Sequence, residues 1–200
     1  MKIVFCGDGT VAAEKSGAGL GQGFVTVAAG LFGASFYDRD MVFANHGAEG
    51  QTLGGLAADF DRCIAGEKPD LLTVLVGAED ALLASPTPVA AFKKAYLDLL
   101  CRIDREAHAA KLILCEPFLL PVGETEPKYE RLYPIITEYQ NALHSLCKET
   151  GAELVPLQSA FFKASRLRDM TYWTSDGVHP TPAGHGLIAG EWISAAKKLI

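Results

Sequence analysis

An acidic and an imidazole side chain, Asp176 and His179, lie three residues apart near the carboxyl end of the chain. A carboxylate at this spacing can hydrogen-bond to the imidazole ring and fix its tautomer, which leaves the other ring nitrogen free to act as a general base. The helix predicted to follow has Thr181 as its N-cap and Pro182 at its first position, and this start would hold the loop in place. The alternative is a structural histidine that only closes the loop.

Three turns that contain glycine are also placed where they could serve a reaction. They are Gly7-Asp8-Gly9, Gly47 and Gly77-Ala78-Glu79-Asp80, and each follows a short apolar run. A glycine can present its backbone N–H to a developing oxyanion with no side chain in the way. One of the two acidic residues in the third turn is predicted to be the N-cap of the next helix.

The first turn also fits the dinucleotide fingerprint, as Gly7-x-Gly9-x-x-Ala12. That fingerprint calls for an acidic residue at the end of the second strand, where it would hold the ribose. This chain has Asn45-His46-Gly47 there, and its acidic pair, Asp38 and Asp40, precedes the strand. A dinucleotide-binding oxidoreductase is therefore only an alternative.

The elements that must position these turns follow from the pattern of apolar residues. Short apolar runs alternate with longer helical patterns, which predicts parallel strands joined by crossover helices, with ligands bound outside the carboxyl ends of the strands. The segment Pro117–Pro134 is predicted to be an extended loop that forms a lid or a wall. The predicted strands are Lys2–Cys6, Met41–Asn45, Leu71–Val76, Lys111–Cys115 and Glu153–Val155, and the predicted helices are Gly23–Phe32, Thr52–Ala65, Pro88–Ala107, Pro134–Glu149 and Thr181–Ile200.

The composition is that of an ordinary globular protein, and we expect residues 1–200 to form a single domain, since 49% of the 200 residues are hydrophobic. The net charge of −6 leaves no basic surface for a phosphate backbone, so we expect no nucleic-acid partner. No apolar run reaches the roughly 18 residues that a membrane span needs. We therefore expect a cytoplasmic protein that does not contact a membrane.

The residue types that bind metals or form disulfides are scattered. The five cysteines include no CxxC pair, which predicts reduced, mostly buried thiols. His46, His108 and His144 have no ligand-like spacing, and His185 is predicted to cap or pack. We expect no bound metal.

In chain order, the three glycine turns and the loop of Asp176 and His179 resemble the sequence blocks of the GDSL family, also called SGNH hydrolases. The resemblance runs from residue 2 to residue 192 and is most specific at Asp176-Gly-Val-His179-Pro180-Thr-Pro-Ala-Gly-His185, with support from Glu116-Pro117-Phe118. It is closest to the branch of carbohydrate esterases and acylhydrolases that includes acetylxylan esterases. The resemblance implies a flavodoxin-like three-layer α/β/α sandwich with a five-stranded parallel sheet, and hydrolysis of carboxylic esters with no metal and no organic cofactor.

Two positions depart from the family pattern. The family has Gly-Asp-Ser where this chain has Gly7-Asp8-Gly9, and Gly-x-Asn-Asp where it has Gly77-Ala78-Glu79-Asp80. Glycine cannot form an acyl-enzyme, and an ionised glutamate repels an oxyanion that an amide would bind. The resemblance assigns the catalytic positions to His179, Asp176 and Gly9, where the serine is missing, and the oxyanion hole to Gly9, Gly47 and Glu79, where the asparagine is missing.

Neighbouring side chains are poor substitutes for the missing hydroxyl. Thr10 is one position along and stiff, and Cys6 is predicted to be a buried thiol. The absent side chain predicts room for a water near Gly9, which His179 could activate for direct attack.

We therefore predict a carboxylic ester hydrolase for an acylated carbohydrate or another small ester, with serine-type catalysis weakened or lost, as in a pseudoenzyme. A non-catalytic binding protein for acylated sugars on the same scaffold is the first alternative, and the oxidoreductase is the second. The expected partner is the small-molecule ester or acylated carbohydrate, and the sequence is also compatible with a homo-oligomer.

Overall fold

Five parallel strands form the central sheet, in the order β2-β1-β3-β4-β5. The computed structural model describes residues 1–107 and 111–200. The predicted five-stranded parallel sheet is confirmed, because each apolar run forms a strand within one residue of its predicted ends. The strands are β1 (Lys2–Gly7), β2 (Val42–Asn45), β3 (Leu71–Leu75), β4 (Lys111–Cys115) and β5 (Glu153–Val155).

Helices connect the strands, and three short ones were not predicted because four to eight residues are too few to show a helical period. A π-helical turn over Asp61–Ala65 continues α3, and 3₁₀ turns cover Gly123–Lys128 and Met170–Tyr172. In the described residues the α-helices are α1 (Gly9–Ala12), α2 (Phe24–Ser35), α3 (Leu53–Ala58), α4 (Ala78–Leu82), α5 (Val89–Glu106), α6 (Tyr129–Thr150), α7 (Leu157–Ala164) and α8 (Pro182–Ala196).

Two apolar cores lie on opposite faces of the sheet and complete the predicted three-layer sandwich. Side chains alternate along β1, so Val4 contacts the core under α3, α5 and α6, while Phe5 contacts the core under α2, α7 and α8. Trp192 of α8 packs against Phe5 and donates its indole N–H to Thr73 Oγ1 at 2.8 Å. This bond satisfies two polar groups buried in the second core.

Helix α6 begins five residues before its predicted start. The prediction took Pro134 as the first helical residue, but Pro134 lies inside the helix. Leu132 and Ile136 are both buried and lie one turn apart, so the first turn of α6 is anchored in the core. The segment before it is a packed 3₁₀ turn rather than an extended loop.

This strand order fixes where a ligand can bind. The order 2-1-3-4-5 reverses between β1 and β3, and an open parallel sheet has its binding crevice at the carboxyl ends of the strands at this switch point. The turns that begin at Gly7 and Gly77 flank that crevice. No helix in the described part of the chain is both long enough and apolar enough to span a membrane.

Candidate active site

The turn after β1 places Asp8 beneath the crevice. Asp8 is the N-cap of α1, and its Oδ1 accepts a hydrogen bond from the Thr10 N–H at 3.0 Å. Burial raises the pKa of Asp8 to about 7, the charge of Glu79 acts in the same direction, and the bonds from Thr10 oppose them. Asp8 therefore stays protonated between about pH 4 and pH 7, where a carboxyl group exposed to solvent is ionised.

The space beside Gly9 is occupied by a carboxylate from the turn after β2. A Cβ built on Gly9 would lie 2.4 Å from Oε2 of Glu49, far closer than van der Waals contact. The predicted room for a water at this position is therefore wrong, because the Glu49 carboxylate fills it. Among the described residues, no acceptor binds the Gly9 N–H, so this donor is free.

Gly47 does not offer the free N–H predicted for an oxyanion hole. Its N–H donates to Oδ1 of Asn45 at 2.8 Å, in a turn closed by the asparagine side chain. Gly47 is needed for another reason, since a Cβ there would lie 2.4 Å from the Ala12 nitrogen and 2.6 Å from the Val11 carbonyl carbon. The absence of a side chain lets the turn after β2 pack against α1.

The two acidic residues after β3 have separate roles, and neither is the predicted N-cap. Gly77 holds the N-cap position of α4 with a φ of +124°. Asp80 is buried and its Oδ2 accepts a hydrogen bond from the Leu53 N–H at 2.9 Å, which joins α4 to the start of α3. Glu79 lies on the side of the crevice, where its charge acts on both Asp8 and His179.

Asp176 and His179 form a closed hydrogen-bonded unit. Asp176 Oδ2 lies 2.6 Å from His179 Nδ1, and Asp176 Oδ1 accepts hydrogen bonds from the N–H groups of Val178 and His179 at 3.1 and 2.8 Å. The bond to Nδ1 leaves Nε2 as the ring nitrogen available to a substrate. The side chain of His179 is about half exposed, at 49%, so a small molecule can reach the ring.

Charges around this pair move both pKa values. Partial burial acts to raise the pKa of Asp176, but the hydrogen bonds from His179 and Val178 outweigh it and lower the pKa. Partial burial acts to lower the pKa of His179, but the bond to Asp176 and the charges of Asp176, Glu49 and Glu79 outweigh it and raise the pKa. The imidazolium is therefore stabilised by the carboxylates around it.

The segment predicted as a lid or a wall is a wall. The Leu120 N–H donates to the Gly177 carbonyl at 3.0 Å, and the Thr125 N–H donates to the Asp176 carbonyl at 3.2 Å. Gly177 has a φ of +99°, and a Cβ on it would lie 1.9 Å from Thr125 Oγ1. Only glycine fits this position, so the wall fixes the backbone between Asp176 and His179. These supporting contacts were not predicted, because they join residues about 50 positions apart in the chain.

The turn after β1 and the loop of His179 meet at Thr10. The Thr10 side chain is buried and its Oγ1 donates to the Val178 carbonyl at 3.5 Å. That hydroxyl is buried and bonded to the Val178 carbonyl, which agrees with the prediction that it does not replace a serine. Cys6 is also buried, and burial raises the pKa of its thiol well above the usual value, so it is a poor nucleophile.

An open cleft of about 300 Å³ lies in front of Gly9 and His179. His185 also lines this cleft. Its Nδ1 accepts a hydrogen bond from the Phe24 N–H at 3.1 Å, so His185 caps α2, which is one of the two roles predicted for it. Burial, helped by the charge of His179, lowers the pKa of His185 to about 4. The polar side chains of Glu14, Gln22 and Glu49 also line the cleft.

In the described part of the chain, no group of three histidine, cysteine, aspartate or glutamate side chains is arranged to hold a metal ion. His46 contacts Glu67, and His144 contacts the buried Glu116 after β4. His108 lies outside the described residues.

Comparison with known proteins decides the family. The model of the GDSL-like lipase/acylhydrolase family matches residues 5–187. The chain belongs to this family. Its relatives include an acetylxylan esterase of Geobacillus stearothermophilus, which is 25% identical over 197 residues, a match that covers 96% of this chain and 88% of the relative.

Solved structures show the same GDSL fold. A candidate GDSL-like lipase from Parabacteroides merdae superimposes with a TM-score of 0.90 at 25% identity, covering 98% of this chain and 95% of that one. An alpha/beta hydrolase enzyme from the metagenome of Lake Arreo gives a TM-score of 0.87 at 23% identity, covering 100% and 96%. Two structures of the Geobacillus esterase are described as catalytic mutants, one altered at a serine and one at an aspartate.

Two functional features were missed by the sequence analysis. One is Glu49, and the other is the pair of hydrogen bonds by which Leu120 and Thr125 of the predicted wall hold the loop of His179. The sequence contains one weak signal for Glu49. It is a charged residue in the turn after β2, and that turn lies at the same edge of the sheet as the turn containing Gly9. Its contact with Gly9 depends on the reach of a flexible side chain, which spacing in the sequence does not reveal.

Proposed function

We propose that this GDSL-family protein hydrolyses small carboxylic esters, with acetylated carbohydrates as the leading substrate class, by direct attack of water. The observation that carries the proposal is the Asp176–His179 pair, with Oδ2 and Nδ1 2.6 Å apart, at the mouth of the cleft that Gly9 lines. A tautomer fixed in this way aims a basic nitrogen at bound substrate.

The steps follow from the free groups of the site. Nε2 of His179 takes a proton from water as the water oxygen bonds to the ester carbonyl carbon, and Asp176 stabilises the imidazolium that forms. The Gly9 N–H is the free donor for the resulting oxyanion. When the tetrahedral intermediate collapses, the C–O bond to the alcohol breaks and His179 returns its proton to the departing alkoxide.

Water is the attacking group in this proposal because no side-chain hydroxyl is in position. Gly9 stands where the family pattern has serine, Thr10 binds the Val178 carbonyl, and Cys6 is a buried thiol. Loss of a triad nucleophile lowers turnover by about 10⁶-fold, whereas binding and polar donors alone retain about 10³–10⁴-fold over water. We therefore expect slow hydrolysis without an acyl-enzyme.

The cleft and the relatives suggest the substrate class. A volume of about 300 Å³ suits a small acyl group on a sugar rather than a long lipid chain. The carboxylates of Glu14 and Glu49 in the lining disfavour anionic esters. A relative named acetylxylan esterase supports acetylated carbohydrate as the first candidate.

Initial rates of p-nitrophenyl acetate hydrolysis test the proposal, with wild type, His179→Ala and the exposed charge control Glu130→Gln measured side by side. We expect wild type and Glu130→Gln to be about 10³-fold faster than His179→Ala, which loses the general base and keeps only the rate over buffer that binding and polar donors supply. Equal rates for wild type and His179→Ala would overturn the proposal. Release of acetate from an acetylated xylo-oligosaccharide then tests the sugar preference.

A binding protein for acylated sugars is the second candidate. This function is favoured because the Gly47 N–H already donates to Asn45. An oxyanion would then have fewer donors than predicted, which weakens catalysis but not binding. Calorimetry with an acetylated xylo-oligosaccharide would show binding without release of acetate. The dinucleotide alternative is not favoured, because the charges of Glu49 and Glu79 beside this turn would repel a pyrophosphate.

A further inference from the structure

The Gly9 and Glu49 residues contact each other, and the mechanism above leaves the glutamate unused. Any side chain at Gly9 would collide with the Glu49 carboxylate, since even a Cβ would lie 2.4 Å from Oε2 and 3.3 Å from Oε1. Both carboxylate oxygens therefore lie over the Cα of Gly9. The glycine makes room for the glutamate, and the two residues form a matched pair.

The Glu49 carboxylate also lies close to the imidazole that moves the proton. Glu49 and His179 line the same cleft, and the charge of Glu49 acts on His179. Among the described residues no donor hydrogen-bonds to the Glu49 carboxylate, so both of its oxygens can accept bonds from water. The carboxylate and the imidazole thus line the cleft in which an ester would bind, and an attacking oxygen would lie between these two groups in the cleft, not in the space beside Gly9.

We propose that Glu49 is a catalytic residue that holds the attacking water, a role that rests on the ester hydrolysis proposed above. One O–H of the water donates to the Glu49 carboxylate, and the other gives its proton to His179 Nε2 as the new C–O bond forms. The proton on the Glu49 side stays with the oxygen and becomes the hydroxyl of the acid product. The Glu49 carboxylate takes up no proton in this step; it orients the oxygen lone pair towards the carbonyl carbon and stabilises the imidazolium.

The pH dependence of this role involves every charged group around His179. The charges of Glu49, Glu79 and Asp176 act on the ring, and the charge of the ring acts on Asp8 and His185. The clefts on its two sides add Glu14, Glu124 and Lys128. Removing the charge of Glu49 alone should lower the pKa of His179, whereas the other groups stay in place.

Kinetics of p-nitrophenyl acetate hydrolysis for Glu49→Gln, Glu49→Ala and the charge control Glu130→Gln test the proposal. We expect kcat to fall about 10-fold in Glu49→Gln and about 100-fold in Glu49→Ala, with Glu130→Gln unchanged. The acidic limb of the kcat/KM profile and the NMR titration of His179 should both move to lower pH in Glu49→Gln. A merely structural side chain would not move this titration. Thermal unfolding of each variant checks that it is folded.

The matched pair provides a second, independent variant. Gly9→Ala forces the carboxylate aside, so its rate should fall towards that of Glu49→Ala, and the double variant should be no slower than either single one. If both Glu49 variants keep the wild-type rate and His179 titration while His179→Ala is about 10³-fold slower, the role of Glu49 is overturned and ester hydrolysis stands. If wild type and His179→Ala are equally slow, the proposed hydrolysis itself is overturned.

Discussion

The two sides of the cleft are built in different ways. The side with His179 is held by backbone geometry: Asp176 makes three hydrogen bonds within its own loop, and Leu120 and Thr125 bind the carbonyls of that loop. The side with Gly9 depends on one flexible carboxylate from another turn, on a residue, Glu49, that is itself exposed. The difference indicates that the fold fixes the position of His179, the proposed proton-transfer group, whereas the position of the Glu49 carboxylate is set by its own side chain.

The rigid side gives the largest expected effect. Asp176→Asn keeps the shape of the loop but removes the charge that stabilises the imidazolium and fixes its tautomer. We expect kcat for p-nitrophenyl acetate to fall by about 10³-fold, to the rate of His179→Ala, with thermal stability changed little. The exposed Asp98→Asn variant is the control. If Asp176→Asn retained the wild-type rate, His179 would act without its partner and the contrast between the two sides would fail.

The wall predicts a large effect on stability. Gly177→Ala must adopt a φ of +99° and place a Cβ 1.9 Å from Thr125 Oγ1, so we expect a loss of about 4 kcal/mol in urea unfolding. Gly50→Ala is the matched control, because Gly50 has a φ of +67° but nothing within 4 Å of its Cβ. It should lose only about 1 kcal/mol. Similar losses for the two variants would show that the wall does not hold this loop.

The buried acid beneath the cleft predicts a stability that depends on pH. The pKa of Asp8 is about 7 in the folded protein against an ordinary value of 3.8, so the folded state keeps a proton that the unfolded state releases between these values. Stability therefore falls as pH rises from about 4 to about 7. Asp8→Asn cannot ionise and still accepts the bond from Thr10. It should exceed wild type by about 2 to 4 kcal/mol at pH 8 and match it at pH 4. Parallel pH profiles for the two proteins in urea unfolding would contradict the assignment.

The link between the two sides predicts the smallest effect. Thr10→Val removes the hydroxyl that donates to the Val178 carbonyl at 3.5 Å and keeps the branched shape of the side chain. Because the bond is long, we expect a loss of about 1 kcal/mol or less in urea unfolding, and a change of only a few-fold in kcat. A loss as large as that of Gly177→Ala would mean that the two sides of the cleft are held as one unit.

The parts of the molecule that the sequence predicts are those set by local patterns. The five strands follow from short apolar runs, and the start of α8 follows from Thr181, whose side chain accepts from the Gly184 N–H at 3.2 Å beside Pro182. The Asp176–His179 bond was also within reach of the sequence, because the two residues are three apart in one loop.

The features that the sequence did not reveal depend on contacts between distant turns. Glu49 contacts Gly9 from the turn after β2. Thr125, which precedes α6 in the chain, contacts Gly177, which follows it. Gly47 was a different kind of error: Asn45, two residues earlier, competes for its N–H, and this turn chemistry is local enough to be predicted. The positions of Glu49 and Thr125 therefore depend on packing between turns, whereas the N–H of Gly47 is occupied by a neighbouring polar side chain.

Intact-protein mass measured during turnover of p-nitrophenyl acetate tests the central claim most directly, because attack by water and attack by a side chain differ in whether the acyl group becomes attached to the protein. We expect nitrophenolate release that is linear from the first turnover, dependent on His179, and accompanied by an unmodified protein mass. A burst of nitrophenolate with an acetylated protein would contradict the account, as would turnover no faster than that of His179→Ala.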